Sequence, residues 1–282
     1  MQDRELNIEG IRLHYAEWNN GPQSGSKNVL LIHGATGNSR EFTGLGNHLS
    51  REGFRVIAPD LRGRGLSSKP AHGYGIPFHV ADLLTLLDSL GLDSVSVVGY
   101  SLGGGIGMHM AALFPARVRK LVVVDVGIRI PADALQAISA IVNRLGQMYP
   151  SMDAYLDMCK QMPYFKWSDF WEAFFRYDAE VRADGTVVSR TSKSGIQEEI
   201  TSSATLNSEI LTSMLRAPTL FLRATEGLLG PDKGLLLPRE EADRLLNLIT
   251  GSQVKEIPKT NHLTIIVSPE FETAISDFLK KD

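Results

Sequence analysis

Short, mostly apolar runs alternate along this chain with longer stretches in which apolar residues recur at helical spacing. Runs of five or six residues lie at 29–33, 55–60, 95–100, 121–125 and 218–223. Apolar runs of this length are typical of strands that are covered on both faces. Strands that alternate with helices build βα units around a mainly parallel sheet. The pattern therefore predicts the α/β fold class.

The same pattern locates the helices. At 79–90, six apolar residues recur at helical spacing, and Gly91 then ends the helix. Further helices are predicted at 38–51, 102–114, 239–248 and 269–280. A short strand is predicted at 254–257, and an early antiparallel strand is predicted at 11–17, where polar and apolar residues alternate.

The stretch 129–215 has a different composition from the rest of the chain. It is rich in methionine and aromatic residues, has a turn at Gly185, and separates two predicted strands of the sheet. We expect it to form several helices that are inserted as a cap over the edge of the sheet. The core domain would then comprise 1–128 and 216–282, and 43% hydrophobic residues are enough to bury one large core.

Charge and cysteine content exclude several classes of protein. The net charge of −3 and the scattered Lys and Arg residues give no basic face, so no nucleic-acid partner is expected. The polar residues 1–10 do not resemble a signal peptide, and the apolar runs are too short to cross a membrane. Cys159 is the only cysteine, which precludes an intramolecular disulfide, and packing is its expected role. We expect a cytoplasmic protein without a membrane partner.

Residues 99–103 read G-Y-S-L-G and match the pattern G-x-S-x-G. A nucleophilic serine needs a sharp turn from strand to helix, and glycines on both sides remove Cβ atoms that would collide there. In this chain the pattern ends a predicted strand and opens a predicted helix. A dinucleotide-binding turn is the alternative, but no G-x-G-x-x-G can be written here. Ser101 is therefore predicted to be a nucleophile.

The base is expected after the nucleophile, because a triad on this type of sheet runs Ser, acid, His along the chain. His262 lies in a polar loop that precedes the last predicted helix, where an imidazole could reach the edge of the sheet. His109 also follows Ser101, but it lies in the middle of a predicted helix, where packing is its expected role. We predict that His262 is the base.

With these features the chain resembles the α/β-hydrolase superfamily, in a serine esterase-like branch with a helical cap. The resemblance covers nearly the whole chain and is carried by His33-Gly34 after a strand, by D-L-R-G-R-G-L-S at 60–67, by Ser101 and by Asn261-His262. It implies a mainly parallel eight-stranded sheet with helices on both faces. It also implies that the amides of Ala35 and Leu102 form the oxyanion hole. His33, Asp60 and Arg62 would support this region rather than take part in the chemistry.

The third member of the triad departs from the commonest pattern of the superfamily. That pattern has an Asp shortly after the strand 218–223, where this chain has Gly227, with Glu226 beside it and Asp232 farther on. Other branches have the acid at the end of the strand that follows the nucleophile helix, and this position holds Asp125. The alternative for Asp125 is that it only caps the turn after its strand. We favour Asp125 as the acid over Glu226, with Asp232 third.

A serine nucleophile implies acyl transfer through a covalent acyl-enzyme. It argues against the branches of the superfamily that use an Asp nucleophile. The triad needs no cofactor, and no metal motif such as H-E-x-x-H occurs. Some of the aromatic and Met side chains of 129–215 are expected to form an apolar pocket wall. Arg129 could hold a substrate carboxylate, although an ordinary surface position is its favoured role.

These features together predict an ester hydrolase whose partner is a small molecule. The substrate would be a small-to-medium apolar carboxylic ester. Amide or lactone hydrolysis, carbon–carbon bond hydrolysis, perhydrolysis and a slow ligand receptor remain open as alternatives. No oligomeric state follows from the sequence.

Overall fold

The computed structural model describes residues 1–8, 10–19, 27–203 and 208–281. One eight-stranded sheet runs through the protein in the order β1-β2-β4-β3-β5-β6-β9-β10. Its strands are β1 (Gln2–Ile8), β2 (Ile11–Trp18), β3 (Asn28–Ile32), β4 (Arg55–Pro59), β5 (Val95–Tyr100), β6 (Val118–Val124), β9 (Thr219–Ala224) and β10 (Gln253–Ile257). β2 pairs antiparallel with β1 and β4, and the other pairs are parallel. The predicted α/β class and the mainly parallel eight-stranded sheet are confirmed.

The α-helices of the described residues follow the strands in the expected alternation. They are α1 (Thr43–Arg51), α2 (Ile76–Ser89), α3 (Leu102–Leu113), α4 (Ala132–Val142), α5 (Met152–Lys160), α6 (Asp169–Asp178), α7 (Lys193–Ser203), α8 (Ser208–Ser213), α9 (Arg239–Leu248) and α10 (Pro269–Lys280). None of the helices in these parts of the chain is long and apolar enough to cross a membrane.

The sheet separates two apolar clusters because successive side chains of a strand point to opposite faces. On β3, Leu31 belongs to the cluster that α1 and α10 cover. Its neighbours Leu30 and Ile32 belong to the cluster that α2, α3 and α9 cover. All three side chains are fully buried, which explains why the strand reads as a continuous apolar run.

β1 was not predicted, and the physical reason is its position. It lies at the edge of the sheet, pairs with β2 over its whole length, and is mostly exposed. An exposed edge strand needs no apolar alternation, so its sequence, Q-D-R-E-L-N-I, does not resemble a buried strand.

The segment between β6 and β9 is not purely helical as expected. It contains α4 to α8 and a short antiparallel hairpin formed by β7 (Ala179–Val181) and β8 (Val187–Ser189). Gly185 has a φ of +84° and lies in the loop of this hairpin, so its turn joins two strands rather than two helices. Residues 204–207 of the predicted cap, and residue 282, lie outside the described residues. The boundaries of core and cap stay a prediction.

Candidate active site

Ser101 lies at a sharp turn between β5 and α3. Its φ is +54°, in a region that L-residues rarely adopt. The turn is possible only with glycine on both sides. A Cβ on Gly99 would lie 2.1 Å from the carbonyl oxygen of Gly103, and a Cβ on Gly103 would lie 2.0 Å from that of Ile32. The G-x-S-x-G pattern therefore has a steric basis in this fold.

A continuous hydrogen-bonded relay connects Ser101, His262 and Asp125. The Nε2 atom of His262 lies 3.1 Å from Oγ of Ser101, and its Nδ1 atom lies 2.9 Å from Oδ2 of Asp125. Since the carboxylate is an acceptor, Nδ1 carries the proton and the lone pair of Nε2 faces the serine hydroxyl. The side chains of His262 and Asp125 are each 3% exposed. The relay is thus shielded from water behind the serine.

Asp125 is the carboxylate that the structure brings to His262. It follows β6 directly with a φ of +50°, and its Oδ1 atom accepts a hydrogen bond of 2.8 Å from the amide of Ala224. Both carboxylate oxygens are therefore engaged, which holds the side chain in one orientation. Glu226 and Asp232 are exposed, and neither is a hydrogen-bond or ion-pair partner of His262 among the described residues.

The loop of His262 is held by Tyr100, which the sequence analysis did not single out, and by Asn261, which it named only as part of the family resemblance. The hydroxyl of Tyr100 donates a 2.9 Å hydrogen bond to the carbonyl of His262, and the two rings lie 4.9 Å apart. The side chain of Asn261 accepts from the amides of Leu263 and Thr264 and donates to the carbonyl of Tyr164. The position of Tyr100 directly before Ser101 is the one sequence signal that places it near the site.

In the peptide that joins Gly34 and Ala35, the carbonyl oxygen accepts two hydrogen bonds. Nδ1 of His33 donates to the carbonyl of Gly34 at 2.7 Å, and the amide of Gly37 donates to the same oxygen at 3.1 Å. In a trans peptide the N–H points away from the carbonyl, so the Ala35 amide points away from these donors. Ala35 and Leu102 both line the cavity that contains Ser101. The two predicted oxyanion-hole residues are thus brought together beside the serine.

His33 is a structural support in this arrangement. Its Nε2 atom accepts a hydrogen bond of 2.9 Å from the amide of Leu61, which leaves the proton on Nδ1. Burial lowers the pKa of His33 to about 4, so the ring stays neutral. Asp60 accepts from the amides of Ser39 and Leu66, and Arg62 forms a buried ion pair with Asp82 at 2.6 Å.

A buried ion pair connects the loop that follows β3 to the segment between β6 and β9. Arg64 donates to the carbonyl of Ala35 at 3.0 Å and pairs with Glu199 of α7, which also contacts His79. All three ionisable side chains are nearly inaccessible to water. Arg64 and Glu199 lie 135 residues apart in the chain, and no local pattern indicates their contact.

Ser101 and His262 open into a cavity of about 260 Å³. Its wall is mostly aliphatic, with Met108 from α3, Ile138 and Ile141 from α4, and Ile128, Ile130 and Leu236 from loops. Among the described residues, no lysine or arginine lines this cavity. One carboxyl group does, that of Glu41, which the sequence analysis did not consider. The ring of His109 also reaches the wall, with Nδ1 donating to the carbonyl of Gly105 at 2.8 Å.

The aromatic residues of 129–215 do not line this main cavity, contrary to expectation. They pack against one another and against the sheet, and Phe165 stacks on Trp171 with ring centroids 4.1 Å apart. Five of the predicted wall residues line a smaller adjoining cavity of about 30 Å³ instead, namely Met162, Phe165, Trp171, Phe174 and Phe175. Aromatic rings bury large areas and prefer to pack together, whereas the aliphatic residues of α4 face Ser101.

The remaining candidates lie away from Ser101. Arg129 is exposed and pairs with Glu209 at 3.1 Å, as the surface interpretation predicts. Cys159 is buried in the apolar core, and burial raises the pKa of its thiol to about 12. Within the described residues, no group of three or more His, Cys, Asp or Glu side chains could hold a metal ion.

Comparison with known proteins agrees with the observed fold. The family model of the alpha/beta hydrolase fold matches residues 27–269. The chain is 37% identical over 134 residues to the 3-hydroxybutyrate-oligomer hydrolase of Cupriavidus necator, covering 47% of this chain and 45% of that protein. It is 36% identical over 151 residues to the 2-(acetamidomethylene)succinate hydrolase of Mesorhizobium japonicum, covering 54% of this chain and 52% of that protein.

The chain therefore spans about half the length of these curated relatives. Among solved structures, E-2-(acetamidomethylene)succinate hydrolase superposes with a TM-score of 0.86 at 26% identity, and 99% of each chain is covered. Because the family model matches most of the sequence, and because the fold agrees over the whole length, this chain belongs to the alpha/beta hydrolase fold family.

Proposed function

We propose that this protein is a serine hydrolase that cleaves a small-to-medium, uncharged and largely apolar carboxylic ester through an acyl-enzyme. The observation that carries the proposal is the buried relay from Asp125 through His262 to Ser101 at the floor of an aliphatic cavity. A serine hydroxyl becomes a nucleophile when a positioned base accepts its proton.

The reaction follows from this geometry. Oγ of Ser101 attacks the ester carbonyl carbon while Nε2 of His262 takes the hydroxyl proton, and Asp125 stabilises the imidazolium that results. The bond to the alcohol oxygen then breaks, and that oxygen leaves with the proton from His262. A water molecule attacks the acyl-enzyme with His262 again as the base, which releases the carboxylic acid and restores Ser101.

Negative charge on the carbonyl oxygen is stabilised by the amides of Ala35 and Leu102. Leu102 is the first residue of α3, and the amide groups at a helix N-terminus favour negative charge. Losing one such donor costs about 3 kcal/mol of transition-state stabilisation in a comparable hydrolase. All the required groups are side chains or amides of the chain, so the proposed reaction uses no cofactor or metal.

The size and polarity of the cavity support a neutral substrate. About 260 Å³ accommodates a short acyl or alcohol group, and the wall is mostly aliphatic. The segment 129–215 would act as the cap, since α4 and α8 contribute Ile138, Ile141 and Thr212 to this wall. We propose a small-molecule substrate as the partner of this protein and the cytoplasm as its location.

Amide hydrolysis is the second candidate. It is supported by the structural likeness to E-2-(acetamidomethylene)succinate hydrolase along the whole chain. A succinate carries two carboxylates, however, and no lysine or arginine of the described residues lines the cavity here. The wall therefore argues against a dicarboxylate substrate, and the likeness gives correspondingly less support to amide hydrolysis than the uncharged wall gives to a neutral ester.

A fluorophosphonate probe and a set of chromogenic substrates test the proposal. We expect the probe to label the wild-type protein at Ser101 and to leave folded Ser101→Ala unlabelled. Hydrolysis of p-nitrophenyl butyrate should fall by up to about a million-fold in Ser101→Ala. Absence of labelling, or equal turnover by the variant, would overturn the proposal. Butyryl p-nitroanilide has the same acyl group, and a faster reaction with it than with the ester would favour the amide candidate.

A further inference from the structure

The carboxyl group of Glu41 lies in the active-site cavity, next to the peptide that carries the Ala35 amide. Glu41 belongs to the short 3₁₀ helix Ser39–Phe42 and is only 7% exposed. Its Oε2 atom accepts a hydrogen bond of 3.0 Å from the amide of Gly34. Its Oε1 atom lies against the backbone of Gly37, where an added Cβ would be only 2.1 Å away. Because Gly37 has no Cβ, the turn at 34–37 leaves space for this carboxyl group.

No cation neutralises Glu41 among the residues that the structure describes. Tyr100 of β5 and His262 share the main cavity wall with it, and Asp178 at the end of α6 acts on it by charge repulsion. Arg144 lines the smaller adjoining cavity together with Glu41, but its guanidinium pairs with Asp178 at 3.2 Å. A buried carboxylate without a cation is strongly disfavoured.

The carboxyl group is therefore a carboxylic acid at neutral pH. Burial raises its pKa to about 8, and repulsion by Asp178 adds to the effect, although the hydrogen bond from Gly34 opposes it. A carboxylic acid has one O–H donor. Because Oε2 accepts from Gly34, the proton is placed on Oε1, to which no donor of the described residues is hydrogen-bonded. This leaves one donor to a ligand in the cavity.

We propose that Glu41 determines substrate specificity by donating a hydrogen bond to an uncharged acceptor oxygen in the acyl chain. The inference rests on the proposed ester hydrolysis at Ser101. Since Gly34 precedes Ala35, the donor lies close to the oxyanion hole, and the acceptor lies a few bonds beyond the scissile carbonyl. The preferred substrates are thus esters whose acyl chain carries a keto, ether or ester oxygen, rather than plain alkanoates or carboxylates.

Matched esters test this inference directly. p-Nitrophenyl 4-oxopentanoate and 5-oxohexanoate are compared with the pentanoate and the hexanoate in wild type, Glu41→Gln and Glu41→Leu. The quantity measured is the ratio of kcat/KM between each keto ester and its alkyl counterpart. The intrinsic reactivities of the esters cancel when the ratios are compared between variants. Glutamine retains an N–H donor at this position, whereas leucine has none.

We expect Glu41→Leu to lower the ratio for the better keto ester by about three- to ten-fold, which corresponds to one net hydrogen bond. Glu41→Gln should retain most of the preference. In wild type the ratio should fall as the pH rises through about 8, because the ionised carboxylate cannot donate, and in Glu41→Gln it should stay constant. If Glu41→Leu lowered turnover of both esters equally, Glu41 would only support the loop, and the inference would be overturned.

Binding measurements separate this inference from the proposed function. The same ester pairs are titrated calorimetrically into Ser101→Ala, with and without Glu41→Gln and Glu41→Leu, where no turnover is required. Tighter binding of a keto ester that is lost with leucine and kept with glutamine supports the role of Glu41, even if the wild type hydrolysed neither ester. Equal affinity for both members of each pair in Ser101→Ala overturns it, whatever the esterase assay shows.

Discussion

Replacing Glu41 by glutamine should stabilise the protein in a strongly pH-dependent way. The pKa of Glu41 is raised from 4.5 to about 8 in the folded state, mainly by burial. The folded protein therefore retains a proton that the unfolded chain releases above pH 4.5, and the free energy of unfolding decreases as the pH rises from there to about 8. Proton linkage therefore lowers the free energy of unfolding by about 3 kcal/mol at pH 7 and by about 5 kcal/mol above pH 8.

Glutamine resembles the neutral carboxylic acid but does not ionise, so Glu41→Gln should be free of this cost. We expect nearly equal stabilities at pH 4.5, and a variant more stable than wild type by about 3 kcal/mol at pH 7 and about 5 kcal/mol at pH 9. Urea unfolding at the three pH values measures the difference, provided that the denaturant slopes agree.

Glu226→Gln is the matched control, because the same change is made at an exposed position. Its stability should follow that of the wild type at all three pH values. A difference between Glu41→Gln and wild type that is constant from pH 4.5 to 9, or a variant that is less stable at pH 9, would refute the reasoning. The carboxyl group would then be ionised in the folded protein, and the proposed donor would be lost with it.

Three further predictions concern the triad, the serine turn and the loop beside the cavity. Asp125→Asn should lower kcat for p-nitrophenyl esters by about 10⁴-fold, because the amide favours the wrong tautomer of the base, whereas Glu226→Gln should remain near wild type; the reverse order would assign the acid to Glu226. Gly103→Ala would place a methyl group 2.0 Å from a backbone oxygen of the neighbouring strand, so we expect an unfolded or aggregated protein by circular dichroism, and a wild-type unfolding curve would contradict the turn geometry. Glu199→Gln leaves the buried guanidinium of Arg64 without its counter-charge and should lower the free energy of unfolding by about 3 kcal/mol in urea titrations; a loss below about 1 kcal/mol would contradict this.

The loop that follows β3 contains or contacts several of the residues in these predictions. It carries His33, Ala35 and Glu41, and its carbonyl groups accept from His33 and Arg64. Arg64 is in turn held by Glu199 from the segment between β6 and β9. The backbone at Ala35 is therefore connected, through Arg64 and Glu199, to the segment between β6 and β9.

Much of the fold could be predicted because its signals are local. Strands buried on both faces must be apolar throughout, and the helices between them must be apolar on one side, so both are visible in the chain itself. The turn at Ser101 is only partly local: a Cβ on Gly99 would clash with Gly103 four residues later, whereas a Cβ on Gly103 would clash with Ile32 on the neighbouring strand β3, far earlier in the chain. The edge strand β1 has no such apolar pattern, because most of its side chains are exposed.

The sequence by itself determined the class of the fold, and it singled out Ser101 and His262, which the structure places within hydrogen-bonding distance of each other. Only the tertiary structure decided which carboxylate meets His262, because Asp125 and Glu226 both follow strands and only their spatial relation to the imidazole distinguishes them. It also decided that, of the segment 129–215, aliphatic rather than aromatic side chains line the cavity at Ser101, and that Glu41 lies there with no lysine or arginine of the described residues in the wall. These features depend on contacts between residues far apart in the chain, and a buried group acquires its pKa and its partners only when those contacts form.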